Sequence, residues 1–197
     1  RLANRLVMAP MTRSRSPGGI PGEDVARYYR RRAEGGVGLI ITEGTWVPHP
    51  SASNDGDVPD FFGDAALAGW RRVLEGVHAA GGRIMPQLWH VGLIRKEVRL
   101  GLPEGAPARP DQVGPSGYTG GHGWPPERDR APMTLADIDA VIDAFATAAQ
   151  TARALGFDGV ELHGAHGYII DQFLWHLTNR RTDRYGGGHA ERARFAA

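Results

Sequence analysis

Four short runs of apolar residues, spaced along the chain and separated by helical patterns, constrain the fold more than any other feature. The runs are Leu6–Ala9, Val37–Thr42, Arg83–Leu88 and Gly159–His163. The second run, VGLIIT, lacks strict alternation of apolar and polar residues, as is typical of parallel strands covered on both faces. The runs therefore predict four buried strands of a parallel sheet.

Helical periodicity lies between these strands. Three sets of apolar residues recur at helical spacing, namely Val25, Tyr28, Tyr29 and Ala33; Leu67, Trp70, Leu74 and Val77; and Ile138, Val141, Ile142, Phe145, Ala149 and Ala152. Thr134 and Asp137 are spaced as a capping box at the start of the third helix, and a fourth helix is predicted from about Ala190.

Glycines then mark the predicted helix ends, at Gly35-Gly36, Gly81-Gly82 and Gly156. The resulting order is strand, helix, strand, repeated up to the fourth helix. Right-handed crossovers in such an order give a parallel α/β sheet, either open or closed into a barrel, and periodicity does not choose between the two.

Composition excludes several classes of partner. The chain has 23 basic and 22 acidic side chains and a net charge of +1, so a nucleic-acid partner is not expected. It has no cysteine, which excludes disulfides and thiolate metal sites within these residues and fits a reducing compartment. No apolar run reaches the roughly 18 residues of a membrane span, and no signal peptide is recognised. A cytoplasmic protein without a membrane partner is expected.

The connection between the third strand and the third helix is unusually long. It covers Val91–Pro132, and 15 of its 42 residues are glycine or proline. Connections longer than about 12–15 residues are usually functional or disordered. We interpret this one as an excursion over the carboxyl ends of the strands, with disorder as the alternative.

The strongest candidate chemistry follows the fourth strand, in the sequence ELHGAHGY. His163 and His166 could polarise a substrate oxygen through their N–H groups, and Tyr168 could donate a proton. His-x-x-His is also the spacing of metal ligands, for which a third ligand could come from His90, His176 or His189. A pair of partly buried structural histidines is a third interpretation, and the residues alone leave all three open.

Two other strand ends carry candidate residues. Gln87, at the end of the third strand, could offer a donor and an acceptor to an imide edge, and Trp89 could form a pocket wall or simply pack in the core. Thr12 follows the first strand and could bind a ring carbonyl, although a threonine there is more often a turn residue.

Four blocks of the sequence resemble successive signature blocks of the Old Yellow Enzyme family. They are NRLVMAPMTRSRS at Asn4–Ser16, GLIITEGT at Gly38–Thr45, HAAGGRIMPQLWHVG at His78–Gly92, and GFDGVELHGAHGYIIDQFL with TNRRTDRYGG within Gly156–Gly187. The resemblance implies a (β/α)₈ TIM barrel, of which this chain holds about the first four β/α units as one domain over residues 1–197. It also implies FMN as cofactor and reduction of activated alkenes, such as unsaturated carbonyl or nitro compounds, with NADH or NADPH.

The resemblance also implies roles for individual residues. Pro10, Met11, Thr12, Gly44 and Gln87 correspond to flavin contacts, with Thr12 near a ring carbonyl and Gln87 at the pyrimidine edge. The substrate would be met by Trp89, which shapes its pose, by the pair His163 and His166, and by Tyr168 as proton donor; His163 also borders the cofactor. In such an enzyme the protein positions and polarises the substrate, while the flavin carries the redox step.

Some features depart from the family pattern. His176 stands where many relatives have proline, the block after Gly187 reads GHAERARF, and residues 91–132 match poorly, so the substrate is not specified. A complete barrel takes about 250 residues, so the 197-residue chain is expected to be a truncated fragment that is inactive alone and associates through open sheet edges, or as a homo-oligomer. A metal-dependent barrel hydrolase using His163 and His166, or a non-catalytic half-barrel, are the alternative functions.

Overall fold

The structure is a computed structural model that describes residues 1–53, 55–94, 112–120 and 125–197. Its elements, in chain order, are β1 (Val7–Met8), α1 (Glu23–Glu34), β2 (Leu39–Trp46), α2 (Asp64–Ala79), β3 (Ile84–Trp89), α3 (Leu135–Leu155), β4 (Glu161–Leu162), α4 (Ile169–Leu174) and α5 (His189–Ala193). A single 3₁₀ turn at Pro17–Gly19 precedes α1.

The four strands form one sheet in the order β1-β2-β3-β4, and every neighbouring pair is parallel. The predicted strands and their parallel arrangement are therefore confirmed. Their predicted bounds were partly wrong. β1 and β4 are each two residues long, and β2 continues four residues past Thr42, to Trp46.

A β-bulge explains how β2 continues through polar residues. Ile41 pairs with Met85 and Gly44 pairs with Gln87, so β2 has one residue more than β3 between these two pairs. The Thr42 side chain fills the gap in the ladder, because its Oγ1 accepts from the Gln87 N–H at 3.2 Å and donates to the Glu43 carbonyl at 2.7 Å. A bulge changes the direction of the side chains that follow it. Here it carries Glu43 into a fully buried position.

The helices form where periodicity and end signals predict them. The capping box of α3 is present, with the Asp137 N–H donating to Thr134 Oγ1 at 3.1 Å and the Thr134 N–H donating to Asp137 Oδ2 at 2.8 Å. Gly36, the second residue after α1, and Gly156, the first residue after α3, adopt φ angles of 87° and 100°, a conformation that a residue with a side chain rarely adopts. The helix predicted near Ala190 is α5. Helix α4 was not predicted, since six residues give no periodic pattern.

The chain divides into two compact units. The first comprises Arg1–Pro48, Asp55–Trp89 and Phe145–Leu162, and it contains the sheet, α1 and α2. Its core includes an aromatic cluster in which the Phe61 ring lies 5.9 Å from Trp70 and 5.7 Å from Phe157. The prediction of a single domain over residues 1–197 stays a prediction.

The second unit comprises His49–Asn54, His90–Ala144 and His163–Ala197. Its core includes Phe173, stacked on Phe195 with ring centroids 4.0 Å apart. Of the predicted excursion over 91–132, residues 95–111 and 121–124 lie outside the described part of the chain. Residues 114–117 are buried, so this part of the connection is packed. No helix among the described residues is both long and apolar enough to cross a membrane.

Candidate active site

His163, His166 and Tyr168 come together in the second unit, in the turn that links β4 to α4. The ring of His163 lies 4.8 Å from the His166 ring and 4.8 Å from the Tyr168 ring. His166 has a φ of 63°, which is uncommon for a residue other than glycine and often marks a functional turn. The three residues that the sequence predicted to act together are therefore adjacent.

Hydrogen bonds define which nitrogen of His163 carries a proton. The Ala165 N–H donates to His163 Nδ1 at 3.2 Å, so a neutral His163 carries its hydrogen on Nε2. This Nε2 lies 3.1 Å from Nδ1 of His166. Burial, together with the neighbouring His166, lowers the pKa of His163 below its ordinary value. His163 is therefore a neutral hydrogen-bond donor at pH 7.

The two facing nitrogens are hydrogen-bonded to each other, with Nε2–H of neutral His163 donating to Nδ1 of His166. An oxygen that replaced this bond would receive two hydrogen bonds, one from each ring, once His166 changed to its Nδ1–H tautomer. Two N–H donors on one oxygen polarise a carbonyl or nitro group and stabilise a phenolate.

The turn itself is held by buried groups. Gln172, fully buried in α4, donates through Nε2 to the Gly167 carbonyl at 2.6 Å and accepts the Leu93 N–H at 3.1 Å. Asp171 accepts the Gly167 N–H at 2.8 Å. The His90 carbonyl accepts the Ile169 N–H at the start of α4 at 3.1 Å. These bonds fix the backbone on which the histidines and Tyr168 stand.

Gln87 and its neighbours lie in the first unit. Gln87 is buried near the end of β3, and its Nε2 donates to Glu161 Oε1 of the adjacent strand β4 at 2.7 Å. An ionised carboxylate only accepts hydrogen bonds, so the NH₂ end of the amide faces Glu161. The side-chain carbonyl oxygen and the second N–H hydrogen make no further bond within the described residues.

The segment after β1 lies at the surface of the same unit. Thr12 is exposed, Met11 is half-exposed at 50%, and Pro10 is partly buried. The next residue, Arg13, is fixed by an ion pair with Glu43 in which Arg13 Nη2 lies 2.6 Å from Glu43 Oε1. Sequence reasoning missed Glu43, because its partner is 30 residues away and no local pattern indicates the pairing.

Gly44 and Trp89 are explained by packing against each other. Trp89 is buried, and its ring occupies the place where a Cβ on residue 44 would lie. The interpretation of Trp89 as a packing residue therefore has direct support in the first unit. The predicted roles of Trp89 in substrate pose and of Gly44 in cofactor contact stay predictions.

The histidines suggested as a third metal ligand do not join His163 and His166. His90 is buried and pairs with His49, with its Nε2 3.0 Å from His49 Nδ1, while His176 and His189 are exposed. No group of three histidine, cysteine or carboxylate side chains suited to a metal ion occurs among the described residues. The metal interpretation is therefore not favoured.

The fold is a parallel strand–helix repeat, and a histidine pair follows its fourth strand. Comparison with known sequences shows which family has these features. The profile of the NADH:flavin oxidoreductase / NADH oxidase family matches residues 1–197. 12-Oxophytodienoate reductase 7 of Oryza sativa subsp. japonica is 41% identical over 202 residues, which cover 99% of this chain and 50% of the reductase. The NADH oxidase of Thermoanaerobacter brockii is 39% identical, with 98% of this chain and 28% of the oxidase covered.

Solved structures give the same assignment. The chain matches morphinone reductase in complex with tetrahydroNAD with a TM-score of 0.83 and 39% identity, covering 99% of this chain and 55% of that one. It matches the Old Yellow Enzyme homologue of Zymomonas mobilis with a TM-score of 0.79 and 34% identity, over 98% and 53% of the two chains.

The chain belongs to the NADH:flavin oxidoreductase / NADH oxidase family, the Old Yellow Enzyme family of the sequence resemblance. Its four parallel strands and their helices are the first β/α units of the family's TIM barrel, so the predicted fold class is confirmed. The chain spans about half the length of the first curated relatives it matches.

Proposed function

We propose that the protein is an FMN-dependent ene reductase that uses NADH or NADPH to reduce alkenes activated by a carbonyl or nitro group. The observation that carries the proposal is the cluster of His163, His166 and Tyr168, in which two imidazole nitrogens 3.1 Å apart face one another beside a phenol ring. A hydrolase would need a metal ion or a nucleophile here, whereas this set offers hydrogen-bond donors and one acid.

The histidine pair binds the activating group of the substrate. His163 donates from Nε2 and His166 from Nδ1 to the same oxygen, which withdraws electron density from the conjugated double bond and makes its β-carbon electrophilic. Because His163 is neutral, it donates without giving up a full proton. The same two donors would hold a phenolate more tightly than a neutral carbonyl.

Tyr168 supplies the proton that completes the reduction. Its O–H lies on a ring adjacent to both imidazoles, and a phenol O–H can serve as a general acid. In the proposed reaction Tyr168 protonates the α-carbon of the substrate and is reprotonated from solvent. The net change is addition of one hydride and one proton across the double bond.

The described residues fit a flavin. The amide of Gln87 has a carbonyl oxygen and an N–H that match the donor and acceptor of a flavin pyrimidine edge, and Glu161 holds the opposite side of the amide. Thr12 presents an exposed hydroxyl beside Pro10 and Met11 for a ring carbonyl and the face of the ring. The bound flavin would carry the hydride from the reduced nicotinamide to the alkene.

Two relatives support the nicotinamide reductant. One is named an NADH oxidase, and the structure of morphinone reductase holds tetrahydroNAD. Other relatives are named 12-oxophytodienoate reductases. We infer from these names that the substrate is a small unsaturated carbonyl compound.

The proposal is tested with the purified protein under anaerobic conditions. Absorbance near 450 nm reports flavin, chromatography of the flavin released by heating distinguishes FMN from other flavins, and mixing with NADH and with NADPH shows which reductant bleaches it. A cyclic enone added to the reduced protein should restore the oxidised spectrum. Lack of flavin after reconstitution, or a stoichiometric metal released by the change His163→Ala, would overturn the proposal.

A further inference from the structure

Glu43 is a buried carboxylate that receives four hydrogen bonds in the first unit. Its Oε1 accepts from Arg13 Nη2 at 2.6 Å, from Arg13 Nε at 3.2 Å and from the Tyr29 hydroxyl at 3.3 Å. Its Oε2 accepts the backbone N–H of Arg13 at 3.1 Å. The carboxylate therefore grips both the side chain and the backbone of Arg13.

The bulge in β2 creates this arrangement. Its extra residue leaves a backbone N–H outside the regular ladder, and the Glu43 N–H donates instead to the Tyr29 hydroxyl at 2.8 Å. Tyr29 is fully buried in α1 and returns a hydrogen bond to the carboxylate of the same residue. Burial and the adjacent Glu43 raise the pKa of Tyr29, so the hydroxyl remains a donor.

Aromatic contacts complete the surroundings of Arg13. Its guanidinium lies 3.7 Å from the centre of the Tyr28 ring and 5.3 Å from that of Tyr29. Burial alone would lower the pKa of Arg13, but the hydrogen bond and the charge of Glu43 outweigh it and hold the pKa above its ordinary value. Arg13 stays charged and is locked in one orientation.

A second set of bonds fixes the chain just after Arg13. Ser14 has a φ of 49°, and its hydroxyl donates to Asp55 Oδ2 at 2.6 Å. The Ser16 N–H donates to the Asp57 carbonyl at 2.9 Å. The irregular segment Ala9–Thr12 is thus fixed at one end by β1 and at the other by Arg13, Ser14 and Ser16.

We propose that Glu43 is a positioning residue, which through Arg13 and Tyr29 clamps the segment Pro10–Thr12 in the conformation that receives the flavin. The identity of the ligand, a flavin, rests on the proposed function. The hydrogen bonds by which Glu43 holds Arg13 do not depend on that proposal. Loops that lack regular hydrogen bonds open readily unless side chains tie them down. Buried ion pairs add little net stability, because desolvation offsets their attraction. The ion pair of Arg13 and Glu43 lies beside the candidate ligand segment. Its role is therefore better explained by the geometry that it fixes than by a gain in stability.

The test uses Glu43→Gln, which keeps the size of the side chain and removes its charge. Hydrogen exchange of the backbone amide of Arg13, without added flavin, should become about 10- to 100-fold faster, the size expected for loss of its hydrogen bond to a charged group. FMN titrated into the protein should bind more weakly by a similar factor. Glu43→Asp, which keeps the charge, should recover part of both effects.

Two control variants separate positioning from general destabilisation. Glu34→Gln makes the same chemical change in the exposed i,i+4 pair with Arg30 and should leave exchange and FMN binding unchanged. Val73→Ala, at a fully buried position of α2, should lower the unfolding temperature without a selective change in exchange at Arg13.

The two readouts fail separately. If the exchange of Arg13 in Glu43→Gln stays at the parent rate, or rises no more than in Val73→Ala, the clamp is refuted. If exchange rises selectively while the parent protein binds no FMN, the clamp stands as a conformational device and the proposed function falls. If exchange rises and FMN affinity stays at the parent value, Glu43 does not position the flavin segment and the inference is overturned.

Discussion

The side-chain amide of Gln87 donates to the carboxylate of Glu161 at 2.7 Å, across the neighbouring strands β3 and β4. Glu161 therefore decides which end of the amide faces away from it. With the NH₂ group held by the carboxylate, the carbonyl oxygen points away from Glu161 as an acceptor, and one N–H hydrogen remains as a donor, the pair that we propose for the flavin. The hydrogen bond to Glu161 therefore determines the orientation of the Gln87 amide. The sequence alone predicts the position of this glutamine but not its orientation.

Replacing Glu161 should weaken flavin binding without abolishing it. In Glu161→Ala the Gln87 amide can rotate, and we expect the FMN dissociation constant to rise by roughly tenfold, the effect of about one lost hydrogen bond. Glu75→Ala, at an exposed position of α2, serves as the matched control. Fluorescence titration of FMN measures both variants, and equal affinities in the two would contradict the role assigned to Glu161.

The histidine pair should contribute to ligand binding in equal steps. His163→Ala and His166→Ala are each expected to weaken a phenolic ligand by about 1.5–3 kcal/mol, because each change removes a hydrogen bond to a charged oxygen. Titration followed through the absorbance of the bound flavin measures the loss. The exposed His176→Ala provides the control. Unchanged affinity in either pair variant would show that the oxygen does not sit between them.

Tyr168 should act in only one half of the reaction. In Tyr168→Phe, reduction of the flavin by NADH or NADPH should proceed at the parent rate. Reoxidation by an enone should slow by roughly 10²–10⁴, the usual size of a general-acid contribution. Stopped-flow absorbance separates the two steps. Tyr118→Phe, whose hydroxyl bonds Arg180, is the control. Equal slowing of both steps in Tyr168→Phe would remove its role as proton donor.

Much of the fold followed from the sequence, because it depends on local signals. Continuous apolar runs such as Val37–Thr42 predict buried parallel strands, and Thr134 with Asp137 predicts the start of α3. The end of β2 did not follow. Glutamate has a low strand propensity and is costly to bury as a charge. The bonds of Glu43 to Arg13 and Tyr29 are what make its burial possible. Pairings across 30 or 14 residues leave no periodic trace in the sequence.

The candidate site shows the same division. His163, His166 and Tyr168 were predicted together because they lie within six residues and share one turn. Their support by Gln172 was not predicted, since a buried glutamine that bonds Leu93 and Gly167 looks like any other helix residue in the sequence. Residues close in the chain could be assigned to one site. Residues that hold them from a distance could not.

Acid should destabilise the protein through its buried histidines. Burial, with the neighbouring His49, holds the pKa of His90 well below its ordinary value, and burial also lowers the pKa values of His163 and His49. The unfolded chain takes up protons near the ordinary pKa of about 6.5, while the folded chain stays neutral. Stability is therefore full above pH 6.5 and falls as the pH drops below it, by at most about 1.4 kcal/mol per pH unit from the fully buried His90.

The change His90→Asn tests this dependence. Urea unfolding midpoints between pH 8 and pH 5 should fall less steeply in His90→Asn than in the parent, whatever the absolute stability of the variant. His176→Asn changes an exposed histidine and should keep the parent slope. If the urea midpoint of His90→Asn falls with pH as steeply as that of the parent, His90 does not take up a proton on unfolding.

The edges of the sheet should govern how the 197-residue chain behaves when it is expressed alone. Within the described residues β1 pairs only with β2, and β4 pairs only with β3, so each has one side without a ladder partner. Apolar side chains lie at these edges, with Leu6 64% and Leu162 45% exposed. Open edges with apolar residues associate readily, and lysine at an edge suppresses such pairing. We expect the chain to form oligomers or aggregates and to retain little FMN through purification, so the titrations above start from FMN that is added back. Leu6→Lys with Leu162→Lys should shift it towards the monomer, whereas Leu135→Lys, at a leucine of α3 about as exposed as Leu162, should not. Size-exclusion chromatography with light scattering decides the matter, and a monodisperse yellow species of 21.3 kDa from the unchanged chain would refute the prediction.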